Sequence, residues 1–385
     1  MLEKGSEGWM AKKILFVTTI VRTVEAFLIP HIQYFISKGY EVGIATNTEN
    51  KNLAHLEKLG IEIHHVPFSR TVLNKDNLIS FKMLKNIIKQ YQILHLHTPI
   101  ASFLTRMVSK KNQIVIYSVH GFHFNENGTW LSNLLYKTAE KAMGMKTKKL
   151  IVTNKDDFSV ANKIVSEEKI HFVHGVGLDT KIYDDNNFSE ETIQKMKLKL
   201  GLDIDRKIIT HIAEFNDNKR QIDLVDACEL LKEKMENFTF LLIGRGENLE
   251  MVQKIICERR LDMYMKCLGF RTDIADILSI TDVGLLISIR EGLPRSVMEM
   301  MAMKIPVIAT NIRGNRDLII DGENGYLISI KDPVQIAEKC NHLLNNEDLS
   351  KQFGEKGREI IQHQFSIDNV LYEMELIYKD LELEI

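Results

Sequence analysis

Short apolar runs of strand length alternate along the whole chain with longer segments whose apolar positions recur every three or four residues. That alternation is the pattern of parallel sheets with crossover helices. In the first half the strand runs are KILFVTT (13–19), EVGIAT (41–46), IEIHHV (61–66), ILHLH (93–97), QIVIYSV (113–119), LIVT (150–153) and IHFV (170–173). In the second half they are RKIITHIAEF (206–215), FTFLLIG (238–244), MKCLGF (265–270), VGLLIS (283–288), PVIAT (306–310) and GYLIS (325–329). Helices are expected over 24–38 behind Thr23 as N-cap, over 76–90 with Leu78, Phe81, Leu84, Ile87 and Ile88 apolar, and over 155–165. The stretch HGVGLDTKIYDDNNFS breaks both periodicities and sets a linker at 174–188. The expected organisation is a domain over 1–180, a second over 181–365, and a C-terminal helix over 366–385 returning toward the first. Two doubly wound domains would leave a cleft between the carboxyl ends of their sheets, where ligands of such folds bind.

Length agrees: 385 residues suit two domains of about 150–200 residues each. With 44% hydrophobic and 26% charged residues and only 6 prolines, the composition is that of a folded protein. Runs such as 14–17 and 239–243 are strand-sized, far short of the roughly 18–20 residues of a membrane span. The opening MLEKGSEGWMAKK has acids where a signal peptide needs bases, so the expected location is the cytoplasm. Cys228, Cys257, Cys267 and Cys340 have neither CxxC nor metal-finger spacing and read as reduced, buried thiols. The net charge of −2 gives no sign of a nucleic-acid partner, but it hides an asymmetry. Residues 1–180 hold 23 Lys+Arg against 15 Asp+Glu, +8, and the remainder 27 against 37, −10.

The chemistry concentrates in SIREGLPRSVMEMMAMKIPVIAT, 288–310. A helix starting at Pro294 and Arg295 leaves free backbone N–H groups above the preceding strand, suited to an anion or a sugar hydroxyl. Glu291 precedes that helix and can accept from sugar hydroxyls; Glu299, about two turns further, can take a vicinal diol such as ribose. Exposed loop and helix acids are the plain alternative for both. Glu299 resists it, because Val297, Met298, Met300, Met301 and Ala302 surround it and a carboxylate there needs a partner. His120, after a strand ending in Val119, is either a satisfied polar residue or a functional one. His95 and His97 alternate in ILHLH and point to one side; without a third ligand at convincing spacing, packing or an acceptor-site role is preferred to a metal.

E-G-L-P-R-S-V-M-E resembles the E-x7-E motif of family 4 of the retaining glycosyltransferases, and its neighbours come in that family's order. I-A-E-F-N-D-N-K (212–219) resembles the G-R-x-x-x-x-K phosphate segment, L-L-I-G-R-G-E (241–247) resembles G-x-G-E, and L-G-F-R-T-D-I (268–274) resembles the base-binding loop. Y-S-V-H-G-F-H-F (117–124) is similar to the T-x-H-G segment, and together with H-T-P-I-A-S points to the capsular and exopolysaccharide branch. The resemblance covers nearly the whole chain. It implies the α/β GT-B fold, two Rossmann-like doubly wound parallel-sheet domains facing a central cleft, with the acceptor on the N-terminal domain and the nucleotide-sugar on the C-terminal one.

The resemblance also implies site residues. Glu291 would contact donor-sugar hydroxyls with Gly292 and the backbone of Leu293 and Pro294, near Arg295; Glu299 would bind the ribose. Lys219 would hold the diphosphate, Gly269, Phe270 and Arg271 the base, and His120 would approach the sugar. Gly244 and Gly246 would admit the nucleotide to the backbone, or are packing glycines. The chain departs from the family pattern at Glu214, where a diphosphate-binding Arg is usual; Arg220, Arg295 and Arg22 are the candidate replacements. The family's glycine-rich first loop is replaced by 18–23, so Arg22 and Thr23, with His97, are assigned to acceptor or phosphate.

The implied reaction is transfer with retention of configuration from a UDP-sugar, an N-acetylhexosamine by choice, to an undecaprenyl-diphosphate-linked saccharide of a surface polysaccharide. The match supplies no carboxylate nucleophile, the resemblance implies departure and attack on the front face, and with no DxD pair at a strand end neither metal nor other cofactor is expected. A sugar-nucleotide 2-epimerase of the same architecture and a non-catalytic nucleotide-sugar-binding module are the alternatives. A nicotinamide dehydrogenase is weaker, because no GxGxxG follows the first strand of either half. An anionic membrane surface is the further expected partner, reached through 130–149, where Leu131, Leu134, Leu135 and Met143 are read on one side among Lys137, Lys141, Lys146, Lys148 and Lys149. A core helix with a solvated basic face is the alternative there.

Overall fold

The computed structural model describes residues 12–72, 74–122 and 130–383. The N-terminal stretch read for a signal peptide lies outside these residues up to position 11, as do His123 and Phe124. The strands are β1 (Lys13–Ile20), β2 (Glu41–Asn47), β3 (Glu62–His65), β4 (Ile93–Leu96), β5 (Ile114–Val119), β6 (Lys149–Val152), β7 (Ile170–Phe172), β8 (Lys207–Ile212), β9 (Phe238–Ile243), β10 (Met265–Gly269), β11 (Val283–Leu286), β12 (Val307–Thr310) and β13 (Gly325–Ile328). Every apolar run read from the sequence forms its strand. Two sheets result, ordered β3-β2-β1-β4-β5-β6-β7 and β10-β9-β8-β11-β12-β13, and their paired strands run parallel.

The reason is visible in the runs themselves. A parallel strand covered by helices on both faces has no solvent side, so it needs unbroken apolar residues. Ile14–Val17 of β1 and all six residues of β9 are buried. Strand order reverses between β1 and β4 in the first sheet and between β8 and β11 in the second. These switch points open crevices at the strand carboxyl ends, which is where doubly wound sheets hold ligands.

Contacts divide the chain into two units, one reaching Val176 and resuming at Leu371, the other Gly177–Val370. Part of the helix Ile367–Leu383 therefore belongs to the first unit, where Tyr378 packs on Phe35 with ring centroids 4.2 Å apart. Three expectations are corrected. Thr23 caps nothing: helix begins at Val21, Thr23 has helical angles, and a π-turn, Val24–Leu28, follows before Ile29–Ser37. Cys257 is exposed, on the outward side of the helix Leu249–Glu258, while Cys228 and Cys340 are buried as expected. Within the helix Trp130–Gly144, Met143 is half-buried, whereas Leu131, Leu134 and Leu135 are exposed, so these four do not share a side.

Candidate active site

In the second unit, the loops after β8, β11 and β12 meet beside the switch point. Lys219 N donates to Asn216 O at 3.0 Å and to Asn216 Oδ1 at 3.2 Å, folding the first loop back on itself. Ile289 N donates to Asn218 O at 2.8 Å and Asn218 Nδ2 to Arg290 O at 3.0 Å, which joins that loop to the one after β11. The two loops thereby hold Lys219 Nζ on Glu291 Oε1, an ion pair with side chains only 19% and 12% exposed. A pair this shielded keeps more of its Coulomb energy than one on the surface.

The third loop locks the second. Gly314, at φ +81°, lies so close to Gly292 that a Cβ would stand 2.0 Å from the Gly292 carbonyl oxygen. Arg313 Nε donates to Glu291 O at 3.3 Å. Neither residue was singled out from the sequence, although an Arg-Gly pair just past the end of β12 occupies a position where such folds bind ligands.

Glu299 is 7% exposed in the helix Arg295–Ala302 and has the partners its surroundings demand. Its Oε1 accepts from the Tyr183 hydroxyl at 2.8 Å and from Arg295 Nε at 2.9 Å. Burial raises its pKa against the pull of Arg295 and Tyr183. Pro294, buried, sits at the N-cap position, one residue before the helix starts at Arg295, and Leu293 packs partly into the core beside it.

Gly244 and Gly246, at φ +148° and +155°, are explained by the chain itself: a Cβ on each would strike Ala213 O at 1.9 Å and Phe215 O at 2.2 Å. The backbone they admit is that of 213–215, and this close approach by itself requires both glycines. Gly244 N donates to Gly269 O at 2.9 Å and ties in the next loop. There Gly269 has φ +67°, Phe270 is 61% exposed with the Arg245 guanidinium 4.7 Å from its ring centroid, and Arg271 Nε donates to Asp273 Oδ1 at 2.8 Å.

Glu214 is exposed and accepts from Asn216 Nδ2 at 3.2 Å. The arginines considered as replacements for the missing cation are each paired with a carboxylate: Arg220 with Asp223, Arg295 with Glu299, and in the first unit Arg22 with Glu49 at 3.1 Å. Arg220 is held at φ +53° just before the helix Gln221–Lys232 and does not join Lys219 on Glu291. Under the same loops, His211 of β8 is fully buried with neither ring nitrogen hydrogen-bonded, and burial, with Lys219 second, lowers its pKa to about 3.

In the first unit the carboxyl ends of β4 and β5 carry a column of imidazoles. His95 and His97 stack with centroids 4.2 Å apart, and His97 stacks on His120 at 5.5 Å. His95 is bonded to the Tyr378 hydroxyl at 2.9 Å and to Ser118 Oγ at 2.8 Å. His97 Nδ1 and His120 Nε2 are 3.2 Å apart, and His31 Nε2 meets Val176 O at 2.8 Å. His31, His97 and His120, with Ser118 and Thr153, flank a small cavity. Burial lowers the pKa of His31, and of His95 and His97 far below the ordinary range. His120, though exposed at its rim, is lowered to about 4 by desolvation and by His31, so all are neutral at pH 7. The sequence showed the alternation of His95 and His97 but not the contact with His120. Among the described residues no group of three His, Cys, Asp or Glu is arranged to hold a metal ion.

The family model for glycosyl transferases group 1 matches residues 192–360 and that for glycosyl transferase 4-like proteins residues 13–154. The protein EpsD of Bacillus subtilis is 33% identical over 376 residues, covering 96% of this chain and 97% of its own. The chain belongs to the group 1, family 4-like glycosyltransferases. This glycosyltransferase is also 29% identical, over 66% of its chain and 67% of the relative's, to the Escherichia coli UDP-Gal:alpha-D-GlcNAc-diphosphoundecaprenol alpha-1,3-galactosyltransferase. Anabaena HepE, solved with UDP and glucose, superposes with a TM-score of 0.81 at 17% identity, covering 96% of this chain and 100% of that one. At that identity the likeness speaks for the GT-B fold of the glycosyltransferase alone.

Proposed function

We propose that the protein transfers a sugar, an N-acetylhexosamine, from a UDP-sugar to an undecaprenyl-diphosphate-linked saccharide in surface polysaccharide synthesis, with retention and without a metal or other cofactor. The observation that carries this reading is the Lys219–Glu291 pair, a cation suited to diphosphate and a carboxylate suited to sugar hydroxyls held at one point. An ammonium has three donors, so Lys219 can keep Glu291 and still take a phosphate oxygen as the leaving group gains charge. Glu299 offers the ribose a carboxylate kept in place by Tyr183 and Arg295. The E. coli relative, by its name, uses a UDP-sugar and a diphosphoundecaprenol acceptor, which supports the same classes of substrate here.

Glu291→Ala should abolish transfer while UDP still binds, because the lost contact is to the sugar. Near-native turnover would remove the assignment. A panel of UDP-, GDP- and dTDP-sugars followed by thermal stability names the donor, since a ligand of the native state stabilises by mass action. Turnover unchanged by EDTA is expected; its loss would restore a metal to the mechanism.

The same reading places the protein at the cytoplasmic membrane face, docked by its first unit on anionic lipid. No described helix is long and apolar enough to cross a membrane. The helix Trp130–Gly144 nevertheless turns Trp130 (76% exposed), Leu131, Leu134 and Leu135 (68%) outward beside exposed Lys137 and Lys141, while Glu140 anchors it to buried Arg106 at 2.9 Å. Exposed leucines beside lysines are not what a core helix with a solvated basic face would show. Lys149 leaves the group of docking lysines, because it is buried and paired with Asp380. The C-terminal residues 371–385 bring the first unit five acids against one lysine, so its positive excess is smaller than +8. Cosedimentation should need anionic vesicles and fall steeply with salt; equal binding to neutral vesicles would refute electrostatic docking.

A further inference from the structure

His97 is sealed from solvent between two rings, with His95 centred 4.2 Å away on one side and His120 5.5 Å away and 15° from parallel on the other. Phe16 adds a third ring at 5.6 Å, 13° from parallel. Both nitrogens of His95 are already taken, by Tyr378 and Ser118, so among the described residues the imidazole that His97 bonds is His120. Its other nitrogen, Nε2, is buried with no hydrogen-bond partner.

A neutral imidazole carries one N–H. If His97 carried it on Nε2, a donor would be buried without an acceptor, at a cost of about 1–3 kcal/mol. Carried on Nδ1, the proton is donated to His120 Nε2 across 3.2 Å, and only a lone pair is left over. Buried orphan N–H groups are the rarer of the two defects in folded proteins. A water in the adjoining cavity can also donate to that lone pair. His120 Nε2 is then an acceptor, and the His120 proton must sit on Nδ1, because the bond made by one ring nitrogen decides the state of the other.

We propose that His97 is a positioning residue that fixes the tautomer of His120, so that His120 presents an Nδ1–H donor to an oxygen of the sugar or phosphate. The tautomer assignment stands on the geometry together with the neutrality that burial gives both rings; its consequence for turnover rests on the reading of His120 as a substrate contact.

The test uses the full-length protein with 15N-labelled histidine. Imidazole NMR of the ligand-free protein should show His120 as the Nδ1–H tautomer; an Nε2–H tautomer overturns the proposal without any variant. His97→Phe keeps the stacked ring and removes the donor. It should move His120 toward Nε2–H and lower kcat about 10–100-fold, by analogy with the loss of a partner that orients a metal-bound His, with little change in KM for the donor. His97→Asn, which can restore a side-chain N–H toward His120, should recover the tautomer and most of kcat. An unchanged His120 spectrum in His97→Phe refutes the positioning role. A shifted tautomer with unchanged turnover upholds it and removes His120 from the proposed reaction instead.

Discussion

Acidification should unfold this protein through histidines that cannot accept a proton where they are. His211 is the sharpest case: fully buried, unbonded at both nitrogens, with its pKa lowered from 6.5 to about 3 by burial and secondarily by Lys219. Below pH 6.5 the unfolded chain takes up this proton and the folded chain does not, so stability is intact above 6.5 and falls with pH until about 3, where the native group titrates as well. At pH 5 the loss is 1.5 pH units at about 1.36 kcal/mol each, or ~2 kcal/mol from one residue. His95 and His97, lowered mainly by burial, act in the same direction. Against a typical stability of about 5–15 kcal/mol this is a large share. Urea unfolding at pH 7.5, 6 and 5 and constant ionic strength should show a slope steeper than the ~1.4 kcal/mol per pH unit of a single proton. His211→Phe, similar in shape and without nitrogen, should flatten that slope by one proton and add stability most at pH 5. A flat profile between pH 6.5 and 5, or an unaltered slope in His211→Phe, would show that the native state accepts these protons and that the reasoning from burial is wrong.

Lys219→Ala should weaken UDP binding by about 1.5–3 kcal/mol, the value of a charge-assisted contact, and leave uridine binding unchanged; equal losses in calorimetry would place Lys219 away from the phosphates. Gly314→Ala puts a Cβ 2.0 Å from Gly292 O at φ +81°, so it should cost at least about 1–3 kcal/mol in denaturant melts and raise KM for the donor by displacing the loop that carries Glu291. Melts and kinetics identical to those of the native protein would mean that the loops are not locked together.

The strands were legible because a doubly covered parallel strand needs an uninterrupted apolar run, and such a run is visible without knowing its neighbours. Single contacts between distant segments were not. Glu299 announced its need for a partner through five apolar neighbours, yet Tyr183, which meets it, lies 116 positions away in what reads as linker. Thr23 looked like a cap because side-chain capping is a local rule, but the helix runs straight out of β1 and starts three residues earlier, at Val21. Glu214 shows how far local reading reaches. The sequence revealed an acid where the family carries a diphosphate cation and suggested Arg22, Arg220 or Arg295 in compensation. Each of these already neutralises a carboxylate, so one turned wholly to phosphate would leave Glu49, Asp223 or Glu299 without its cation. Asp223 and Glu299 are buried, and stripping a buried carboxylate of its cation costs several kcal/mol, more than one phosphate contact returns.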